Sequence, residues 1–205
     1  MPAHAWFVFL FASTAICLAP GPDMLFVVSS SSRGGARAGL DAVRGITTAM
    51  TLHVAAAALG LSALFAASAT AFNALRIVGA IYLVWLGLSA LRGKTSSAGE
   101  GFVGRDAFRR GFLTNVTNPK VIVFFAAFLP QFVVVGNGPV AMQLLVLGGT
   151  FAVIGCAFDI AIAFAAGALG ARFLRSARAV RLMDTVAGAV MIVLGLELFA
   201  EPQRT

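Results

Sequence analysis

Residues 5–31 read AWFVFLFASTAICLAPGPDMLFVVSSS, an apolar run interrupted near its middle by Pro20-Gly21-Pro22 and a charge, Asp23. A hydrocarbon core of about 30 Å takes about 20 helical residues, so the run is long enough to cross a bilayer. Proline removes an amide donor and clashes with the preceding turn, while glycine opens unusual dihedrals, so the spacing predicts a broken helix. Backbone groups freed inside hydrocarbon are tolerated only where protein or a water-filled cavity surrounds them. Residues 108–134, FRRGFLTNVTNPKVIVFFAAFLPQFVV, repeat the plan, with Asn118-Pro119 followed by Lys120. A lone proline is most simply a structural kink. Paired breaks in equivalent spans, each followed by a charge, instead predict a binding site between them.

The remainder of the chain fits a membrane setting. Of 205 residues 60% are hydrophobic and 11% charged, with 18 Phe against a single Tyr, whereas soluble domains are roughly 45–50% apolar and 25% charged. The mean hydropathy is +0.94. This composition argues against a water-soluble enzyme and against a disordered chain. Six spans are predicted near Ala5–Ser31, Ala38–Ala67, Phe72–Leu91, Phe108–Val134, Val140–Leu169 and Val180–Ala200. Arg33-Gly34-Gly35, Gly93–Gly104, Gly136-Asn137-Gly138-Pro139 and Arg172–Arg178 supply the turns. The first span lacks a basic stretch before it, so it reads as retained and not as a cleaved signal.

The net charge of +7 would ordinarily point to nucleic acid. Here the basic residues sit between apolar runs: Arg33, Arg37 and Arg44; Arg92, Lys94, Arg105, Arg109 and Arg110; and Arg172, Arg175, Arg178 and Arg181. All three groups fall on one side, against Arg76 and Arg204 on the other. The positive-inside rule makes the rich side cytoplasmic, with both termini outside, and makes the lipid bilayer the expected partner, with no nucleic acid.

Three spans in each half imply a second unit inserted upside down, an all-α integral membrane fold of six helices as a 3+3 inverted repeat with helices 1 and 4 broken. Repeat 1 covers about 1–92, the basic cytoplasmic loop about 93–107 and repeat 2 about 108–200, together one transmembrane transporter domain over 1–205. Gly79-Ala80-Ile81-Tyr82-Leu83-Val84-Trp85-Leu86-Gly87-Leu88 in span 3 is echoed by Gly188-Ala189-Val190-Met191-Ile192-Val193-Leu194-Gly195-Leu196 in span 6. The small-residue faces of these two spans offer a surface for a homodimer.

Ionisable groups at mid-span are costly and usually serve a pathway. Asp23, Lys120 and Asp159 are the candidates, with His53. His53 lies about 13 Å along its helix from Arg44, beside Ala49, Ala56, Ala57 and Gly60. It reads either as a packing residue or as a proton carrier. Asp159 reads either as an ion-pair partner of Lys120 or as a coupling or ammonium-binding group. Asp41 has Arg37 and Arg44 at helical spacing, and Asp184 has Arg181. Phe124, Phe125 and Phe128 read as core or lipid-facing residues. Cys17 and Cys156 lie far apart and show no metal-ligand spacing.

Pro20-Gly21-Pro22-Asp23-Met24 with Gly34-Gly35-Ala36-Arg37-Ala38-Gly39-Leu40 resembles the signature of the LysE/RhtB family of bacterial amino-acid exporters. Arg110-Gly111-Phe112-Leu113-Thr114-Asn115-Val116-Thr117-Asn118-Pro119-Lys120 and Phe128-Leu129-Pro130-Gln131-Phe132 extend the likeness over nearly the whole chain. The resemblance implies efflux of amino acids or similar small zwitterions across the bacterial inner membrane, driven by the proton gradient without a cofactor. The family carries Asp or Asn after Pro-Gly-Pro, which implies that the Asp23 charge tunes cargo.

The expected substrate site comprises Pro20, Gly21, Pro22, Asp23, Asn115, Asn118, Pro119 and Lys120, and the expected proton-coupling groups are Asp23, His53 and Asp159. Freed amides at the half-helix starts and Lys120 would meet the cargo carboxylate, and Asp23 or Asp159 its ammonium. A divalent-metal exporter of the same architecture is the rival, drawing on Asp23, His53, Asp159, Cys17 and Cys156, though Lys120 opposes a cation. A membrane-embedded enzyme is disfavoured, since no hydrolase elbow or metalloprotease pair occurs.

Overall fold

The structure, a computed structural model, describes residues 3–92, 103–134, 136–169 and 177–200. Among these residues every regular element is a helix. The basic segments of 93–102 and 170–176, including Lys94, Arg172 and Arg175, lie outside the described residues, as do the Arg178 side chain and Arg204.

Helix α1 covers Ala3–Leu18 and stops where Pro20 can no longer donate. Helix α2, Pro22–Ala56, begins on Gly21 in extended conformation with Pro22 in its first turn, where a missing N–H costs nothing. Its long axis is interrupted at Gly34 and at Gly35, whose φ of 70° is open to glycine at little cost. The chain folds back there. A Cβ on Gly39 would collide with the Ser31 hydroxyl, although residues eight apart in a straight helix stand about 12 Å from each other. The expected turn at Arg33-Gly34-Gly35 is thus a two-residue reversal between two apolar arms.

Beyond Ala56 the helix widens into a π-helical turn, Ala57–Leu61, and runs on as α3, Ser62–Ala67. Ser68 then caps α4, Ala69–Leu91, by accepting from the Ala71 amide at 3.1 Å. Helices α5, Arg105–Val116, and α6, Pro119–Val123, meet at the second proline break. With the turns that follow α6, they form a pair bent by 44°. After α6 the backbone passes through a π-helical turn, Phe124–Phe128, and a 3-10 turn, Leu129–Phe132, which holds Pro130. Gly136 and Gly138, both at positive φ, turn the chain into α7, Val140–Leu169. Helix α8 covers Ala177–Ala200.

Asn73–Leu91, Val140–Ala168 and the bent pair are long and apolar enough to cross a membrane, and Pro22–Leu64 meets the same measure of length and composition but is folded into two arms at Gly34 and Gly35. Phe7 and Leu59 are 75% and 73% exposed, as Val153 and Phe11 largely are. Exposed apolar side chains of this kind are consistent with an integral membrane protein.

Inside, an aromatic ladder joins the elements. Trp6 meets Phe9 edge-on, Phe9 meets Phe132, Phe132 meets Phe128, and Phe124 stacks on Phe151 with ring centres 4.0 Å apart. Phe124, Phe125 and Phe128 are therefore core residues. The glycine-bearing faces of α4 and α8 pack on each other. A Cβ on Gly87 would stand 2.6 Å from the Gly188 carbonyl, and one on Gly195 2.9 Å from that of Ala80. These faces, expected as a dimer contact, are occupied within the chain.

Two glycines provide a matched test of this packing. Gly87→Ala forces α4 and α8 apart and is expected to lower stability by about 1–3 kcal/mol. Gly149→Ala, where a Cβ meets nothing within 4 Å, is expected to leave it unchanged or slightly raised. Melting temperatures of the purified variants in one detergent check the contrast.

Candidate functional site

The site follows from the arithmetic of a helix ladder. A proline at position i leaves the carbonyl of residue i−4 without its donor. Pro20 orphans Ile16 in this way, and Pro119 orphans Asn115. Each orphan has found two replacements. The Ile16 carbonyl accepts from the Ala19 amide at 3.2 Å and from Lys120 Nζ at 3.2 Å. The Asn115 carbonyl accepts from the Asn118 amide at 3.0 Å and from His53 Nε2 at 3.2 Å. Because a carbonyl only accepts, the latter contact puts a proton on Nε2. The His53 ring also stacks on Phe125, with ring centres 5.7 Å apart.

The starts of the second half-helices match in the same way. Helix α2 opens Gly21-Pro22-Asp23 and helix α6 opens Asn118-Pro119-Lys120, each with a proline in the first turn and a charge one residue on. Asn118 caps α6, its Oδ1 accepting from the Lys120 amide at 3.0 Å. The two charged side chains then cross to the opposite break. Lys120 Nζ donates to Ile16 at 3.2 Å and to Ala19 at 3.1 Å, both at the carbonyl end of α1. Asp23 Oδ2 accepts from Asn115 Nδ2 at 2.9 Å and Asn118 Nδ2 at 2.8 Å, both beside the break between α5 and α6. Each break is closed by the residue that follows the other.

Between them is a cavity of about 40 Å³, room for about three waters. Cys17, Asp23, Met50, Lys120, Phe151 and Asp159 are among its lining residues. Asp159, on α7, takes no hydrogen bond among the described residues, and it lies within the fields of Lys120 and Asp23. Asp23 Oδ1 and Asn115 Oδ1 are buried without a donor. Lys120 offers three N–H groups and uses two on backbone carbonyls. The arrangement therefore presents acceptors in excess, one remaining ammonium N–H and a lining that is otherwise apolar.

Asp23, Lys120 and Asp159 thus meet at one cavity. Pro20, Gly21 and Pro22 form one of the breaks beside it, and Asn115, Asn118 and Pro119 the other. His53 joins the cluster through the Asn115 carbonyl and also lies within electrostatic reach of Asp23. The alternative of a locking ion pair between Asp159 and Lys120 is corrected: among the described residues no such bridge forms, because the ammonium sits on the α1 carbonyls. Arg44 does bridge Asp41 at 2.9 Å. Asp184 makes no bridge to Arg181, and its buried Oδ1 lacks a donor. Cys156 lines a separate outward-facing groove with Thr47 and Thr51, away from Cys17. No group of three His, Cys, Asp or Glu side chains able to hold a metal is found among the described residues.

Reading residues by type passed over Met50 and Phe151, which carry no signal, and the Ile16 and Ala19 carbonyls. Ile16 had a signal, since it lies four residues before Pro20.

Comparison with known proteins identifies the family. The profile of the LysE type translocator family matches residues 14–201, and the chain belongs to that family. It is 35% identical over 159 residues to a homoserine/homoserine lactone efflux protein of Salmonella typhimurium, covering 73% of this chain and 74% of that one. It is 30% identical over 166 residues to a leucine efflux protein of Enterobacter sp., covering 78% of each. An uncharacterized membrane protein of Vibrio cholerae is 33% identical over 207 residues, 97% of this chain and 98% of its own. No solved structure matches the chain. The protein is a multi-pass membrane protein of an amino-acid efflux family.

The mutual capping has a charge-swap test. Asn118→Asp keeps an acceptor for the α6 amide but turns a carboxylate toward Asp23, and loses a charge-assisted hydrogen bond of about 1.5–3 kcal/mol. It is expected to melt well below Asn118→Ser. Adding Asp23→Asn to Asn118→Asp restores an amide–carboxylate pair and is expected to recover most of the loss, read as the melting temperature of the double variant.

Proposed function

We propose that this protein exports amino acids or related small zwitterions from the bacterial cytoplasm by proton antiport, with the cargo held where broken spans 1 and 4 meet. The observation that carries the reading is Asp159: a carboxylate with no hydrogen bond among the described residues, facing a small cavity at the junction of two proline breaks. Unpaired carboxylates at membrane depth are costly and mark a pathway. A cargo ammonium satisfies Asp159, aided by the donor-poor Asp23 Oδ1 and Asn115 Oδ1. The cargo carboxylate takes the third N–H of Lys120. The backbone of Pro20, Gly21, Pro22 and Pro119 forms the wall, and Asn118 holds Asp23 in place. Beside the Cys17 thiol and Gly155, the other lining groups, Ile16, Met24, Met50, Val121 and Phe151, are apolar, so amino acids with uncharged side chains are the first cargo to test. The names of the Salmonella typhimurium and Enterobacter relatives, homoserine and leucine efflux proteins, support that choice.

The cavity is small, and loading proceeds by separation of the two breaks. Six spans arranged as two inverted three-helix halves supply the means, one half rocking against the other. The support is the parallel between Gly21-Pro22-Asp23 and Asn118-Pro119-Lys120, and between the orphaned carbonyls of Ile16 and Asn115. Proton exchange at Asp159 and Asp23, with His53 linked through Asn115, couples cargo release outside to proton entry. The clustering of basic residues supports an inner-membrane orientation with both termini outside.

Cells carrying the protein are expected to resist a subset of a panel of toxic amino acids and dipeptides. Asp159→Asn is expected to reach the membrane in normal amount and to lose gradient-driven efflux about tenfold or more. Normal efflux by that variant discards the coupling role. A reporter active only in the cytoplasm, fused after Thr205, is expected to stay silent, and full activity there reverses the orientation.

A further inference from the structure

We infer that Lys120 is a tethered replacement for a free monovalent cation at the broken end of α1, so that transport runs without sodium and removing the lysine makes this break take up sodium. The inference rests on the proposed transport function for its efflux arm only.

The carbonyl end of a half-helix inside a membrane carries partial negative charge, and such ends commonly coordinate a small cation. Here the position is filled by the protein itself. Lys120 Nζ lies 3.2 Å from the Ile16 carbonyl and 3.1 Å from the Ala19 carbonyl. The carboxylates of Asp23 and Asp159 are both within reach of its charge. Gly21 supplies the room: a Cβ there would stand 3.0 Å from Nζ and 3.4 Å from Cε. One positive charge thus sits among two carbonyls and near two carboxylates, where a sodium ion would otherwise find its ligands.

The tether has a mechanical meaning too. Lys120 belongs to α6, so the cation of break 1 is carried by the other broken span and leaves when that span moves. A diffusible ion is recruited from solution at each cycle. The lysine returns with the backbone that bears it.

The experiment compares wild type, Lys120→Arg and the neutral variants Lys120→Ala and Lys120→Met, all purified in sodium chloride and exchanged into choline chloride. Wild type and Lys120→Arg are expected to show no change in melting temperature when sodium or lithium replaces choline. Lys120→Ala or Lys120→Met is expected to melt several degrees higher in sodium or lithium, as linkage to a bound ion requires. In proteoliposomes with a fixed proton gradient, wild-type efflux is expected to change less than about twofold between the salts, while a neutral variant loses about tenfold in choline and recovers at least partly in sodium.

Sodium-dependent melting or efflux of the wild type overturns the inference. So does a neutral variant indifferent to both ions, or one folded in neither salt. A neutral variant folded in sodium but not in choline supports it. If wild type exports no cargo in any salt while a neutral variant still gains sodium-dependent melting, the transport function fails and the cation replacement stands.

Discussion

A proline in a membrane helix leaves a carbonyl that water cannot reach, and hydrocarbon offers it nothing. The chain places two such prolines, Pro20 and Pro119, at facing positions, and the rest of the core is organised by the need to find donors for Ile16 and Asn115. A neighbouring amide supplies part of the answer in each case. The remainder comes from a side chain across the bundle, Lys120 for one and His53 for the other. A requirement that is local in sequence thereby becomes a long-range contact.

The same contacts bring the charged groups together. Asp23 and Lys120 each follow a break, and each points its charge at the opposite one. The dipoles agree with the choice, since an ammonium meets the carbonyl end of α1 and a carboxylate stands in the first turn of α2. Asn118 serves both purposes, with one amide atom on its own helix and the other on Asp23. Among the described residues Asp159, Asp23 Oδ1 and Asn115 Oδ1 remain acceptors without a donor, a cost that the surrounding pairing does not remove.

Much of this was legible in the sequence, for reasons that differ by feature. The apolar runs and the Arg33-Gly34-Gly35 turn follow from composition and from glycine's freedom at positive φ. The breaks follow from proline chemistry, and the meeting of Asp23, Lys120 and Asp159 from their shared depth. Side-chain pairing was less legible. An ion pair between Lys120 and Asp159 is a reasonable expectation from charge alone, but backbone carbonyls carry no letter in a sequence and they hold the ammonium. The small faces of α4 and α8 satisfy one another, which pattern alone does not distinguish from a dimer contact. The π-helical turn at Ala57–Leu61 has no composition signal beyond Gly60, and the distortion from Phe124 to Phe132 is signalled only by Pro130, eleven residues after Pro119.

The reversal at Gly34 and Gly35 limits how far the two arms of α2 can shift against each other. Two residues reach at most about 7 Å, so the arms on either side of the turn have almost no slack for sliding. A Cβ on Gly167 would meet the Ala36 backbone at 2.6 Å, which anchors the turn to α7 as well. The two arms of α2 and the far end of α7 are therefore held closely together at this turn. Ala19–Gly21, between α1 and α2, lies outside this clamp, so the backbone beside the Lys120 ammonium is the stretch of the first run that neither helix constrains.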